Sequence, residues 1–154
     1  HDQQEAFAMA DHITLLNAGL VAQSDTPHNL YHNPKSEFVA GFIGQGALLN
    51  IAVNARGEMQ PALGLLNPKI TMVPGDSLRL LIRPDDIVYD ASSALGFEII
   101  HKAFRGAQYL YHLKMSDGQV VQCLTPNNVD LPIGTTLPVS FNIQHQVVFR
   151  NTSQ

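Results

Sequence analysis

The sequence has little of what several large classes of protein require. It contains no tryptophan, a single cysteine, and only nine lysine and arginine residues in 154 positions. One cysteine, Cys123, excludes an internal disulfide framework and a metal site built from several thiolates. Nine dispersed basic residues form no positive stripe along which a phosphate backbone could lie, so we expect no nucleic-acid partner.

Long apolar runs are also missing. No stretch approaches the roughly 20 residues that a transmembrane helix needs, and no charged segment followed by an apolar one marks a secretory signal. The chain begins with His1 rather than Met, which indicates a processed or truncated product. The sequence does have 45% apolar and 14% charged residues, typical of a soluble globular protein with a buried core. We therefore expect a cytoplasmic setting.

The first 45 residues alternate helix and turn signals. Helix-forming residues predict a helix over 3–10, and Asn17-Ala18-Gly19 predicts a hairpin turn with Gly19 at positive φ. Thr26-Pro27 pairs an N-cap with proline at the first helical position. Ser36 begins another helix, whose apolar face is predicted to contain Phe38, Val39, Phe42 and Ile43.

From residue 46 the pattern changes to short strands separated by Gly, Pro, Asn and Asp. Leu78, Leu80 and Ile82 alternate on one face of a strand that Pro84 ends. Asp117-Gly118 between two alternating runs is a strong hairpin signal. About six short strands in this part predict a small barrel or sandwich. Cys123, in one of these runs, is predicted to be a small buried apolar residue.

These residues resemble a known family, the ATP-binding subunits of ABC importers that serve ferric iron, polyamines and sugars. The match is dense in the first segment, which follows the C-terminal end of the ATPase domain. It is sparser afterwards, where the chain is similar to the appended regulatory β-barrel, the TOBE-type module. The residues and segments that carry the resemblance are the His1-Asp2 start, Asn17-Ala18-Gly19, Thr26-Pro27, Phe38-Val39, Phe42-Ile43-Gly44, Leu80 to Ile87, Gly106, Asp117-Gly118 and the run from Gly134 to Phe141.

The resemblance implies a catalytic role for one residue only. In the family, the histidine of the His-Asp pair is the switch histidine of ATP hydrolysis, and His1 occupies that position. An imidazole there would contact the γ-phosphate or orient the attacking water. ATP and Mg2+ are implied as cofactors of the parent protein. No phosphate-binding loop of the form G-x-x-x-x-G-K-[ST] occurs, so we expect this fragment alone to bind no cofactor and to have no ATPase activity.

Three further groups have residue types that could form a site, but each also has a plainer structural interpretation. His28 and His32 have the spacing of two ligands on one helix face, but a solvated pair is the expectation. Tyr109 and Tyr111 share a strand face and could stack bases, but structural aromatics are expected there. The third group, Arg83, Asp85 and Asp86, could bind an ion, but a strand-end salt bridge in a solvated turn is expected.

The sequence thus predicts a mainly β fold: a small OB-like β-barrel or sandwich over residues 46–154, preceded by a short α/β segment, residues 1–45, from the end of an ABC ATPase domain. By resemblance, the chain is the C-terminal regulatory and dimerising part of an importer ATPase, with ferric cation as the preferred cargo. The implied partners are a second copy, through the β module, and transmembrane permease subunits, at the inner face of the cell membrane. The alternative is a sensor module that binds an oxyanion or a metal.

Overall fold

The computed structural model describes residues 3–60 and 71–151. His1, the predicted switch residue, lies outside the described residues, as does the predicted loop at 64–68. The chain forms two compact units, His1–Gln45 and Gly46–Gln154, which are described separately. Within the described ranges, no helix is long and apolar enough to cross a membrane.

The first unit contains three short helices and one β-hairpin. Their bounds are α1 Gln3–Met9, β1 Ile13–Asn17, β2 Leu20–Asp25, α2 Pro27–His32 and α3 Glu37–Ile43. The predicted caps are confirmed: the Thr26 hydroxyl accepts from the Asn29 amide, and the Ser36 hydroxyl accepts from the Val39 amide. Each cap satisfies an amide that has no partner inside the helix, so these helices begin where the sequence predicts.

The hairpin turn between β1 and β2 has two residues with positive φ. Gly19 has φ +79°, as predicted, but Ala18 also has φ +50°. Two consecutive positive φ values are those of a type I′ turn, which matches the right-handed twist of the flanking strands. Alanine is uncommon in this conformation because its Cβ crowds the backbone. The turn therefore carries a small strain at Ala18 that the sequence pattern did not indicate.

The core of the first unit takes up only part of the apolar face of α3. Val39 and Ile43 are buried with Leu15 and Leu30, but Phe38 and Phe42 remain 38% and 44% exposed. The predicted apolar face of α3 is thus divided, because two of its residues enter the core and the two phenylalanines stay partly exposed. Their rings lie against each other with centroids 5.9 Å apart, since positions four apart on a helix are neighbours.

The second unit is built almost entirely of antiparallel strands. Their bounds are β3 Ala47–Val53, β4 Met59–Gln60, β5 Ser77–Ile82, β6 Ile87–Tyr89, β7 Gly96–Phe104, β8 Gln108–Lys114, β9 Val120–Pro126, β10 Thr136–Phe141 and β11 Val147–Arg150. A 3-10 turn, Pro84–Asp86, separates β5 from β6. Nine strands thus lie in the described residues of this unit, against the six expected, because strands as short as β4 and β6 leave little alternation in the sequence.

These strands form two sheets. One has the order β11-β5-β3-β4, and the other has the order β6-β10-β7-β8-β9. The second sheet curls until its edge strands β6 and β9 lie close together, and the Cys123 thiol of β9 donates to the Ile87 carbonyl of β6 over 3.2 Å. The result is a nearly closed five-stranded barrel. The predicted fold class, mainly β with a small barrel, is confirmed.

One side chain links the two sheets of the second unit. The Gln119 side chain accepts from the Asn50 amide over 2.6 Å and donates to the Asn50 carbonyl over 3.1 Å. Among the described residues, β4 pairs only with Ala52 and Val53 of β3, and at Asn50 the Gln119 amide bonds to the backbone as a neighbouring strand would. The Asp117-Gly118 turn, predicted from sequence and confirmed with Gly118 at φ +86°, holds Gln119 in position.

Candidate functional site

The Arg83–Asp86 turn connects the two sheets and has the most perturbed carboxyl group of the described residues. Arg83 is 4% exposed, and its backbone amide donates to the Asp86 carboxylate over 2.7 Å. The Asp86 carbonyl accepts from Asn142 of the barrel over 2.8 Å. Asp85 is exposed. The prediction that this turn is exposed to solvent is therefore wrong for Arg83. This residue directly follows the buried end of β5 and is buried with it.

Gly46 makes room for the Arg83 side chain. A Cβ at residue 46 would lie 3.0 Å from the Ile82 carbonyl and 3.2 Å from two atoms of the Arg83 side chain, including Nη1. A side chain at this position would have to displace the guanidinium or the strand. The close approach keeps Arg83 folded against the backbone rather than extended into solvent. Arg83 is thus a structural cation at the junction of the sheets.

Burial, with a smaller contribution from the nearby charge of Asp85, raises the pKa of Asp86 to about 6, although the hydrogen bond from the Arg83 amide and the Arg83 charge act in the opposite direction. Between the ordinary value of 3.8 and about 6, the unfolded chain loses this proton while the folded chain keeps it. The free energy of unfolding therefore falls as the pH rises through this window. Above pH 6 the carboxylate is ionised in the folded chain too, and the full cost of burying its charge is present.

We expect the free energy of unfolding of Asp86→Asn to increase relative to that of the wild type as the pH rises. The amide oxygen still accepts from the Arg83 backbone, but no charge is buried. After allowance for partial exposure, the variant should gain about 1–2 kcal/mol in free energy of unfolding between pH 4 and pH 7. Urea denaturation followed by circular dichroism at both pH values measures this. Glu98→Gln, on the exposed face of β7, is the control, and an Asp86→Asn difference that does not change with pH would contradict the assignment.

The two tyrosines of β8 have different environments. Tyr111 is fully buried, and its hydroxyl donates to the Val129 carbonyl over 2.7 Å and accepts from the Leu131 amide over 3.0 Å. Tyr109 is half-buried, with its ring 5.8 Å from that of Tyr111. A buried ring cannot stack on a base, so the structural interpretation of Tyr111 is confirmed.

The pair at His28 and His32 has ring centroids 4.4 Å apart in α2. His28 is exposed and His32 is half-buried. Across residues 3–60 and 71–151, no group of three or more His, Cys, Asp or Glu side chains is arranged to hold a metal ion. Because His28 and His32 are four positions apart on one helix, their imidazoles lie side by side. Among the described residues, no third ligand of these types joins them.

Cys123 is fully buried, as predicted. Burial raises the pKa of its thiol to about 12, so the nucleophilic thiolate is scarce at neutral pH. Its Sγ is held within the barrel closure between β9 and β6. Cys123 is a packing residue and not a reactive one.

Sequence reasoning missed a row of polar side chains across three strands. His101 of β7 is the cross-strand partner of His112 of β8, which in turn is the partner of Gln122 of β9. The two imidazole centroids are 5.2 Å apart, and Gln122 Nε2 lies 3.2 Å from His112 Nε2. Burial, followed by the charges of His101 and Arg105, lowers the pKa of His112. The residues are about ten apart in sequence, so only the hairpin register could have indicated the row.

Comparison with known proteins places both units in one family. A family profile for the TOBE domain matches residues 80–149. A spermidine/putrescine import ATP-binding protein of Nitratidesulfovibrio vulgaris is 32% identical over 92% of this chain and 44% of its own length. A maltose/maltodextrin import ATP-binding protein of Vibrio cholerae is 34% identical over 90% of this chain and 41% of its own. An Fe(3+) ions import ATP-binding protein of Streptomyces avermitilis is 31% identical over 99% of this chain and 44% of its own length.

The chain thus spans less than half the length of these relatives. The matches extend beyond the TOBE domain into the helical first unit, since they cover 90% or more of the chain. The family resemblance seen in the sequence implies the same arrangement, a β-barrel preceded by the helical first unit. The chain belongs to the ATP-binding subunits of ABC importers, of which it corresponds to the C-terminal, TOBE-containing part.

Proposed function

We propose that the chain is the C-terminal regulatory and dimerising part of an importer ATPase that couples ATP hydrolysis to solute uptake. Residues 1–45 are then the end of the nucleotide-binding domain, and residues 46–154 are the regulatory barrel. The similarity to import ATP-binding proteins over almost the whole chain carries this proposal. In the parent protein, ATP and Mg2+ would be the cofactors, and His1 would be the switch residue of hydrolysis.

The surface of the first unit supports its assignment to a larger domain. The hairpin exposes Leu16, Leu20 and Val21 at 62%, 75% and 62%, and Met9 of α1 is 79% exposed. Such a concentration of apolar side chains on a unit of 45 residues is costly in water unless another surface covers it. The rest of a nucleotide-binding domain would supply that surface, as the family resemblance implies.

Transport partners follow from the same proposal. Transmembrane permease subunits would bind the ATPase at the cytoplasmic face of the membrane, and a second copy would bind through the β module. The exposed Phe104 and Ile133, at 65% and 56%, are apolar residues available to such a dimer contact. Light scattering at high protein concentration tests the dimer, and a strictly monomeric mass would count against it.

Ferric cation is the cargo that we propose, because the segment from Phe97 to Gly118 most resembles the iron-importing group. The relatives named for polyamines, maltodextrins and Fe(3+) ions are similar to this chain to nearly the same degree, 31–34% identical. The cargo is therefore best tested on the solute-binding protein of the intact importer. Capture of a sugar or a polyamine instead of iron would contradict the ferric assignment and leave the importer assignment intact.

Calorimetry on the 154-residue chain separates the importer part from a free-standing sensor. We expect no saturable heat on titration with molybdate or Fe(III), and no phosphate release from ATP, because the chain has no phosphate-binding loop. Saturable binding of either ion at low micromolar concentration would favour the sensor. ATP turnover by the chain alone would contradict both functions.

A further inference from the structure

The row formed by His101, His112 and Gln122 on the outside of the barrel has no role in the proposed function. Cross-strand partners project from the same face of a sheet with their Cβ atoms about 5 Å apart, so the three side chains lie side by side. His101 is exposed and His112 is half-buried, which leaves the pair open to solvent on one side. The row is independent of the Arg83–Asp86 turn and of His1.

A β-bulge creates the histidine pair. The register shifts between Ile99, which opposes Leu113, and His101, which opposes His112, so Ile100 is the extra residue. In a regular ladder Ile100 would oppose His112, and His101 would oppose Tyr111, whose ring lies in the core. The bulge therefore moves His101 to the outer face beside His112. Bulges commonly redirect a side chain in this way at functional positions.

The distance between the rings suits a shared metal ion. Two imidazoles bound to one tetrahedral zinc ion, each with a Zn–N distance of about 2.0–2.1 Å, have ring centres about 5 Å apart. The centroids of His101 and His112 are 5.2 Å apart.

The amide of Gln122 supplies the second observation at this row. Its Nε2 lies 3.2 Å from His112 Nε2, whereas its buried Oε1 has no hydrogen-bond partner among the described residues. A glutamine oxygen is a ligand or second-shell acceptor for metal-bound histidine. A half turn of the Gln122 amide would bring Oε1 to His112 Nε2, where it would accept the ring N–H. In that tautomer the Nδ1 lone pair of His112 is free for a metal ion, and Gln122 acts as the acceptor that orients the ligand.

We propose that His101 and His112, supported by Gln122, form an exchangeable site for Zn2+ or a similar borderline divalent cation on the outer face of the barrel. Two imidazole ligands leave positions for water, so the site is open and not structural. Arg105 lies near enough to act electrostatically on His112, and its positive charge opposes a dication. This inference concerns the barrel alone and does not depend on the chain being part of an importer.

Zinc titration of the 154-residue chain by calorimetry at pH 7.5 tests the site. We expect one saturable site, at least tenfold weaker in His101→Gln and in His112→Gln. The matched control is His28→Gln, which alters the other imidazole pair, whose centroids are closer at 4.4 Å, and it should bind zinc as the wild type does. Arg105→Gln should bind zinc more tightly, because it removes the opposing charge without removing a ligand.

Two further readouts separate a site from a ring contact. Imidazole proton resonances of His101 and His112 should shift together on zinc addition, and binding should weaken at pH 5.5, where protons compete for the ligand nitrogens. Circular dichroism verifies that each variant is folded. Equal weakening in His101→Gln and His28→Gln, or no saturable binding by the folded wild type up to millimolar zinc, would overturn the proposal and leave an edge-to-face imidazole pair.

Discussion

Replacing His1 by Ala in the full-length ATP-binding subunit proposed as the parent of this chain is expected to lower ATP turnover about 10²–10³-fold while leaving ATP binding nearly unchanged. In phosphoryl transfer, protein groups act mainly by positioning the attacking water and stabilising charge that develops on the phosphate oxygens. Removing one such polar group typically costs on the order of 10²–10³ in turnover. Nucleotide affinity depends mostly on groups in other parts of a nucleotide-binding domain. The expectation rests on the function proposed for the parent protein.

Phosphate release at saturating ATP measures the effect, and nucleotide binding is measured separately. His12→Ala is the matched control, because His12 is an exposed histidine of the same unit, eleven positions along the chain, with no proposed role. Retained turnover in His1→Ala would remove the switch assignment. An equal loss in His12→Ala would show that the substitution disturbs the segment as a whole.

Tyr111→Phe is expected to lower the free energy of unfolding of the barrel by roughly 2–3 kcal/mol. The phenylalanine ring fills the same space, but it leaves the Val129 carbonyl and the Leu131 amide without the hydroxyl that now bonds to both. A buried polar group deprived of its partner costs about 1–3 kcal/mol, and here two groups are affected. Because both belong to the loop between β9 and β10, the loop amides should also exchange with solvent faster.

Tyr109→Phe is the control for this substitution. It removes the same hydroxyl two residues earlier on the same strand, from a ring that is only half-buried, so the loss should stay under about 1 kcal/mol. Urea denaturation followed by circular dichroism compares the variants. Similar losses in the two would mean that the Tyr111 hydroxyl contributes no more than an accessible one, contrary to its place in the structure.

Local signals predicted most of the fold. The caps at Thr26 and Ser36 and the Asp117-Gly118 turn depend on a few neighbouring residues, and each is present as predicted. The face formed by Leu78, Leu80 and Ile82 is buried, because period-two alternation needs only a core on one side. In these places the chemistry that fixes the structure lies within a few residues of sequence.

Features that depend on distant residues were not predictable in this way. Whether Phe38 is covered depends on which surface faces α3, which helical periodicity does not specify. The bulge at Ile100 changes the register of β7 without any Gly or Pro to mark it. The histidine pair follows from that register, so it too became visible only in the structure. The predicted switch residue, His1, stays a prediction.

The barrel closure at Cys123 has a practical consequence for spectroscopy. It is the only cysteine in the sequence, it is fully buried, and its pKa of about 12 leaves about a thousandfold less thiolate at neutral pH than an ordinary thiol would have. A cysteine introduced at an exposed position such as Asn128 would therefore be the single reactive thiol of the folded protein. Fluorophores or spin labels can be attached there without first replacing the native residue, and the barrel remains intact while distances are measured.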